Sequence, residues 1–75
     1  MTHNTAPRAL TARRRGVLQG LMDGRRPVEI ADDFGVTRAR IGQIIDDLCG
    51  LDLVRRYGFR EYAVTQEGLE ALRRP

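Results

Sequence analysis

Lysine is absent from this 75-residue chain, and all thirteen basic residues are arginine. Tryptophan is missing too, and the aromatics are two tyrosines and two phenylalanines. A single cysteine, Cys49, excludes an internal disulfide framework and any multi-cysteine zinc site. His3 stands alone in the opening segment, so metal ligation is not expected there. No run approaches the ~18 consecutive apolar residues of a membrane span. Met1 to Arg15 is polar and arginine-bearing, with no apolar stretch of the secretory kind, so no leader is expected. What is present is ordinary for a folded chain, 41% hydrophobic and 31% charged. The length has room for one small domain. At this size only roughly 60% of the unfolded surface is buried, so a dimer partner or a ligand is expected to help hold the fold.

The formal net charge is +3, and its distribution says more than its sum. Residues 1–27 carry a net +5, residues 28–54 a net −4, and residues 55–75 a net +2. Two basic zones flank an acidic middle. The all-arginine usage has two explanations that the sequence leaves open. One is genome composition. The other is that arginine's planar fork suits phosphate and guanine edges better than an ammonium does.

Residues 1–9 show no periodicity and read as a loose arm, leaving 10–75 as the single domain. Thr11 is placed to cap a first helix with Val17, Leu18, Leu21 and Met22 as its apolar stripe, ending at Gly24. Gly16 and Gly20 lie inside it and weaken it, which suggests close packing of another element. Pro27 starts a short second helix with Ile30, Ala31 and Phe34 inward, closed by Gly35. Thr37 caps a third, whose stripe is Ile41, Ile44, Ile45 and Leu48, running out near Gly50 or Leu51. Helix, tight glycine-containing turn, helix is the signature of a helix-turn-helix. Beyond it Leu53–Tyr57 and Arg60–Thr65 read as strands, with Gly58-Phe59 as a type II′ hairpin loop. That register sets Arg56 opposite Glu61, Arg55 opposite Tyr62 and Leu53 opposite Val64, with Leu53, Tyr62 and Val64 facing the core. Thr65 caps a last helix carrying Leu69 and Leu72. The fold class expected is mainly α with a small β-hairpin.

Helix ends favour acids at the N-terminus and bases at the C-terminus. The last helix obeys, with Glu67 early and Arg73 and Arg74 late. The third is reversed, with Arg38 and Arg40 after its cap and Asp46, Asp47 and Asp52 at or beyond its far end. The first helix also opens on Arg13, Arg14 and Arg15. A polyanion at those N-termini would compensate, because free backbone N–H groups, the helix dipole and the arginines would all face phosphate. Ordinary solvated surface charge is the plainer reading for any one of them.

The segment Phe34-Gly35-Val36-Thr37-Arg38-Ala39-Arg40-Ile41-Gly42-Gln43-Ile44 resembles the helix-turn-helix of bacterial sigma factor region 4. Taken over residues 10–72, the chain resembles the winged helix-turn-helix repressors of the MarR and PadR type. The similar pieces are Leu10-Thr11, Ile30-Ala31 with Gly35-Val36-Thr37, Leu48 with Leu53-Val54-Arg55-Arg56, and Tyr62-Ala63-Val64-Thr65-Gln66-Glu67-Gly68 followed by Leu69 and Leu72. Asp52 departs from the pattern, standing where glycine is usual before Leu-Val. The resemblance implies a winged helix-turn-helix with three helices, a two-stranded wing and a C-terminal helix. It also implies a cytoplasmic, nucleoid-associated regulator of transcription, with helix 37–48 in the major groove and the 53–65 hairpin as wing.

On that helix the apolar stripe leaves Arg38, Ala39, Gly42, Gln43 and Asp46 facing outward. Arg38 and Gln43 are the first candidates for base edges, as arginine pairs with guanine and glutamine with adenine. Arg40 points in an intermediate direction and suits a base or a phosphate, and Ala39 suits a thymine methyl. Gly42 either admits close approach of the sugar-phosphate wall or is neutral. Thr37 is a cap first and a phosphate contact second. Arg13, Arg14, Arg25 and Arg26 are candidates for positioning contacts to phosphate, and Arg60 and Arg55 for the wing. Arg56 is read as the partner of Glu61. Phe59 wedges, packs on a partner or shields the turn. Tyr57 and Tyr62 read as core or hinge residues and Cys49 as a small core residue.

An enzyme is not expected, since no phosphate loop, metal-ligand spacing or nucleophile with a base is present. The expected partner is double-stranded DNA, bound by a homodimer on a palindrome. No cofactor, small-molecule ligand or membrane partner is indicated. Two alternatives stand beside this one. One is a winged-helix protein-interaction module, the other an architectural or recombination DNA-binding factor of a mobile element.

Overall fold

A computed structural model describes residues 10–59 and 61–74. Four helices and one antiparallel hairpin follow in the order α1 (Ala12–Met22), α2 (Pro27–Phe34), α3 (Arg38–Gly50), β1 (Val54–Gly58), β2 (Glu61–Val64) and α4 (Gln66–Arg73). Each helix begins where local chemistry supplies a partner for its free N–H groups. Thr11, Thr37 and Thr65 accept from the backbone N–H of Arg14, Arg40 and Gly68 at 3.0–3.1 Å. At the start of α2, Pro27 needs no donor partner, and the Glu29 carboxylate accepts from the Arg26 backbone N–H at 2.9 Å.

The first three helices all stop in the same way. A residue with positive φ follows each, and paired backbone hydrogen bonds reach back three and five residues. For α1 these run from Gly24 to Leu21 and from Arg25 to Gly20; for α2, from Gly35 to Asp32 and from Val36 to Ala31. For α3 they run from Asp52 to Cys49 and from Leu53 to Leu48. The third stop is the unusual one, because the left-handed residue is Asp52, at φ 62°. Thus the aspartate keeps the backbone path that a glycine would take.

The core is aliphatic. Val17 and Leu18 of α1, Ile30 and Ala31 of α2, Ile41, Ile44, Ile45 and Leu48 of α3, and Val54 of β1 are buried together. The α2 and α3 stripes are those the periodicity gives, with Phe34 half-buried. In α1 the stripe stops at Leu21, since Met22 is exposed. Gly16 and Gly20 serve close packing: a Cβ at either would lie under 3 Å from Phe34 or Ile30 of α2. A Cβ at Gly68 would strike the Leu53 carbonyl oxygen, so α4 seats its first turn directly on the chain leaving α3. Thr65 secures that seat, its N–H donating to Leu53 O and its hydroxyl to Asp52 O.

The hairpin register differs from the sequence reading by one residue. Val54 pairs with Val64, Arg55 with Ala63, Arg56 with Tyr62 and Gly58 with Glu61, and a bulge falls between Arg56 and Gly58. Gly58 therefore belongs to β1 and not to the loop. Leu53 lies before the strand and packs against the core from there. The shift buries Val54 opposite Val64 and lets Leu53 continue the ladder through Thr65. Arg56 and Glu61 do not pair. The Glu61 carboxylate instead occupies the space beside Gly58, 2.7 Å from where a Cβ would stand.

Candidate nucleic-acid interface

The outward surface of α3 begins directly after its cap. Thr37, Arg38, Ala39, Arg40, Gly42, Gln43 and Asp46 are all exposed, while the residues between them fill the core. No acidic residue lies in the first turn and no basic residue in the last, so the reversed polarity read from the sequence is carried by a well-formed helix. α1 has no acid in its first turn either, whereas α4 has Glu67 early and Arg73 late. A Cβ at Gly42 would meet nothing within 4 Å, so no packing contact within the chain requires glycine there.

Two residues of this surface are joined. Arg40 Nη1 donates to Gln43 Oε1 at 3.2 Å. Arg38 makes no side-chain hydrogen bond or ion pair among the described residues and is fully available. Asp47, at the other end of α3, is turned toward α1 and holds Arg14 Nη2 at 3.0 Å.

The remaining arginines fall into different settings. Arg14 is tied to Asp47, and Arg25 Nη2 lies 2.6 Å from Asp33 Oδ2. Arg13 stands over the Phe34 ring with 5.6 Å to its centroid. Arg15, part of the arginine triplet at the start of α1 but not among the phosphate-contact candidates, donates to the Leu72 carbonyl and joins α1 to α4. Partners 8 to 57 residues away settle these contacts, and no local spacing reveals them. Arg25 and Arg26 share a cleft of about 200 Å³ with Leu21 and the hairpin's Tyr57 and Tyr62, which brings the start of α2 to the hairpin tip. Arg55 stands elsewhere, in a larger open cleft with Cys49, Asp52 and Glu67, beside the acidic end of α3. Arg60 lies outside the described residues, as do His3 and the rest of the opening arm.

No protein-family model matches the chain, and neither does any curated protein or solved structure. The site must therefore be read from its own chemistry. Among the described residues no group of three or more His, Cys, Asp or Glu is placed to hold a metal ion. No described helix is long and apolar enough to cross a membrane.

The aromatic surface adds a feature that the sequence left ambiguous. Tyr57 is 64% exposed and Phe59 77% exposed, so neither is a core residue, whereas Tyr62 packs half-buried against the core. Tyr57 lies at the bulge between Arg56 and Gly58. Cys49 is half-buried at the α3 edge, and burial together with the Asp46 carboxylate pushes its thiol up, with Arg56 pulling the other way.

Proposed function

We propose that this chain is a winged helix-turn-helix protein that binds double-stranded DNA sequence-specifically and regulates transcription in the manner of a repressor. α2, the Gly35–Thr37 turn and α3 form the helix-turn-helix, α3 enters the major groove N-terminus first, and the hairpin lies alongside as wing. The observation that carries this reading is the exposed opening of α3, where Arg38, Arg40 and Gln43 project from a helix whose dipole already favours an anion. A phosphate backbone supplies the negative charge that the helix start lacks. The acids at the far end keep that end away from the duplex.

In this reading Arg26 positions the domain on phosphate, and Arg13 does so from above Phe34. Arg14 and Arg25 act mainly inside the protein through Asp47 and Asp33. A twofold dimer on a palindrome extends the few base pairs that one α3 spans, in the cytoplasm at the nucleoid.

Fluorescence anisotropy of a labelled random duplex against rising salt tests the proposal. Binding is expected at low salt, with log K falling by about 0.9 per log salt for each phosphate neutralised. Arg26→Ala should reduce that slope by about one without altering sequence choice, while Arg38→Ala alters both. No binding at low salt overturns the reading in favour of a protein-interaction module.

A further inference from the structure

We infer that Gln43 reads guanine rather than adenine, because Arg40 engages the carbonyl oxygen of its side-chain amide and takes one of that oxygen's two lone pairs. The inference rests on the DNA-binding reading above and specifies what that site selects. A glutamine distinguishes adenine by using both halves of the amide, Nε2 donating to N7 while Oε1 accepts from the N6 amino group. Here Oε1 already receives the Arg40 Nη1 proton at 3.2 Å. The two residues are three apart on one helix, a spacing that keeps their side chains side by side.

The pair therefore turns N–H groups outward: the Nε2 amide donors of Gln43 and the remaining guanidinium donors of Arg40. Arg38, exposed at the start of the same helix, adds donors only. A guanine presents two acceptors, O6 and N7, in the major groove and answers such a surface fully. An adenine sets its N6 amino group against it, donor facing donor. The Asp46 carboxylate is the next exposed acceptor along α3, three residues beyond Gln43. Arg40 is thus a positioning residue for Gln43, and Gln43 is the residue that determines specificity.

Selection from a duplex pool with a randomised core tests this with four proteins: wild type, Q43A, R40A and R40K. The position read by Gln43 is the one whose preference disappears in Q43A while salt-dependent binding persists. At that position the wild type is expected to favour guanine over adenine by about tenfold, within the range of one good base contact. R40A frees Oε1 and should move the preference to adenine, whereas R40K retains a donor and should keep guanine. Both side chains, Arg40 and Gln43, are exposed, and helical circular dichroism verifies that each variant folds. A wild type that favours adenine there, an R40A whose choice equals the wild type's, or a Q43A that loses no positional preference overturns the inference while leaving DNA binding intact. Absence of any duplex binding at low salt overturns both.

Discussion

Asp52 shows how one residue sets the exit from a helix. Its φ of 62° is a conformation that a β-carbon disfavours by about 1–2 kcal/mol, less for aspartate than for most residues. Asp52→Gly should therefore raise stability by up to about 1 kcal/mol, and Asp52→Ala should lower it, read as opposite shifts of the urea midpoint. Equal midpoints for both variants would mean that the strain is not there. Cys49 offers a second test. Burial and Asp46 hold its thiol above the ordinary value, so the folded chain keeps the proton to higher pH than the unfolded chain. Below the unfolded thiol's value this group adds no pH dependence; as pH rises above it, folding stability falls until the folded thiol also ionises. Alkylation by iodoacetamide in mildly alkaline buffer should run slower on the native protein than on the urea-unfolded chain. Equal rates would contradict the shift.

Between elements, the contacts that fix α1 are partly ionic and only partly exposed. Arg14 and Asp47, at 33% and 43% side-chain exposure, link α1 to α3. A double-mutant cycle with Arg14→Ala and Asp47→Ala should return a coupling of about 0.5 kcal/mol, the modest figure for a solvated pair. A coupling of zero would leave Arg14 free for phosphate. This pair also marks the limit of what the chain alone discloses. The starts of α1, α3 and α4 are legible because threonine caps act within four residues, and the ends of α1 and α2 are legible because Gly24 and Gly35 announce them. The end of α3 near Gly50 or Leu51 is legible from where its apolar stripe runs out, although the left-handed residue that follows, Asp52, carries a side chain. The hairpin, by contrast, misleads. Gly58 invites a turn, but burial of Val54 opposite Val64 is a tertiary effect and carries the register with it. On the candidate surface, the exposure of Arg38, Arg40 and Gln43 follows from the apolar stripe, whereas the internal commitments of Arg14 and Arg25 depend on how helices meet.

As a whole, the molecule rests on nine buried aliphatic positions and no buried polar or charged residue among those described. A core of that size supplies only about 3–5 kcal/mol of net stability, so anything that binds the native state should be plainly visible in melting. A duplex carrying the selected sequence, at about a hundredfold its Kd, should stabilise the fold by about 2.7 kcal/mol and raise Tm by about 10 °C or more. A scrambled duplex at high salt should not, and identical melting curves would argue against a duplex as the ligand. The longest extent is 37 Å, close to one turn of B-form duplex at about 34–36 Å. The extra residue in β1 has a last consequence for that span. Because Tyr57 sits in the bulge and outside the core, deleting it would regularise the ladder and swing the tip by untwisting the strand, with the interior left as it is. Reach and aim of the finger-like tip are therefore adjustable by indels at one point, independently of the scaffold that carries it.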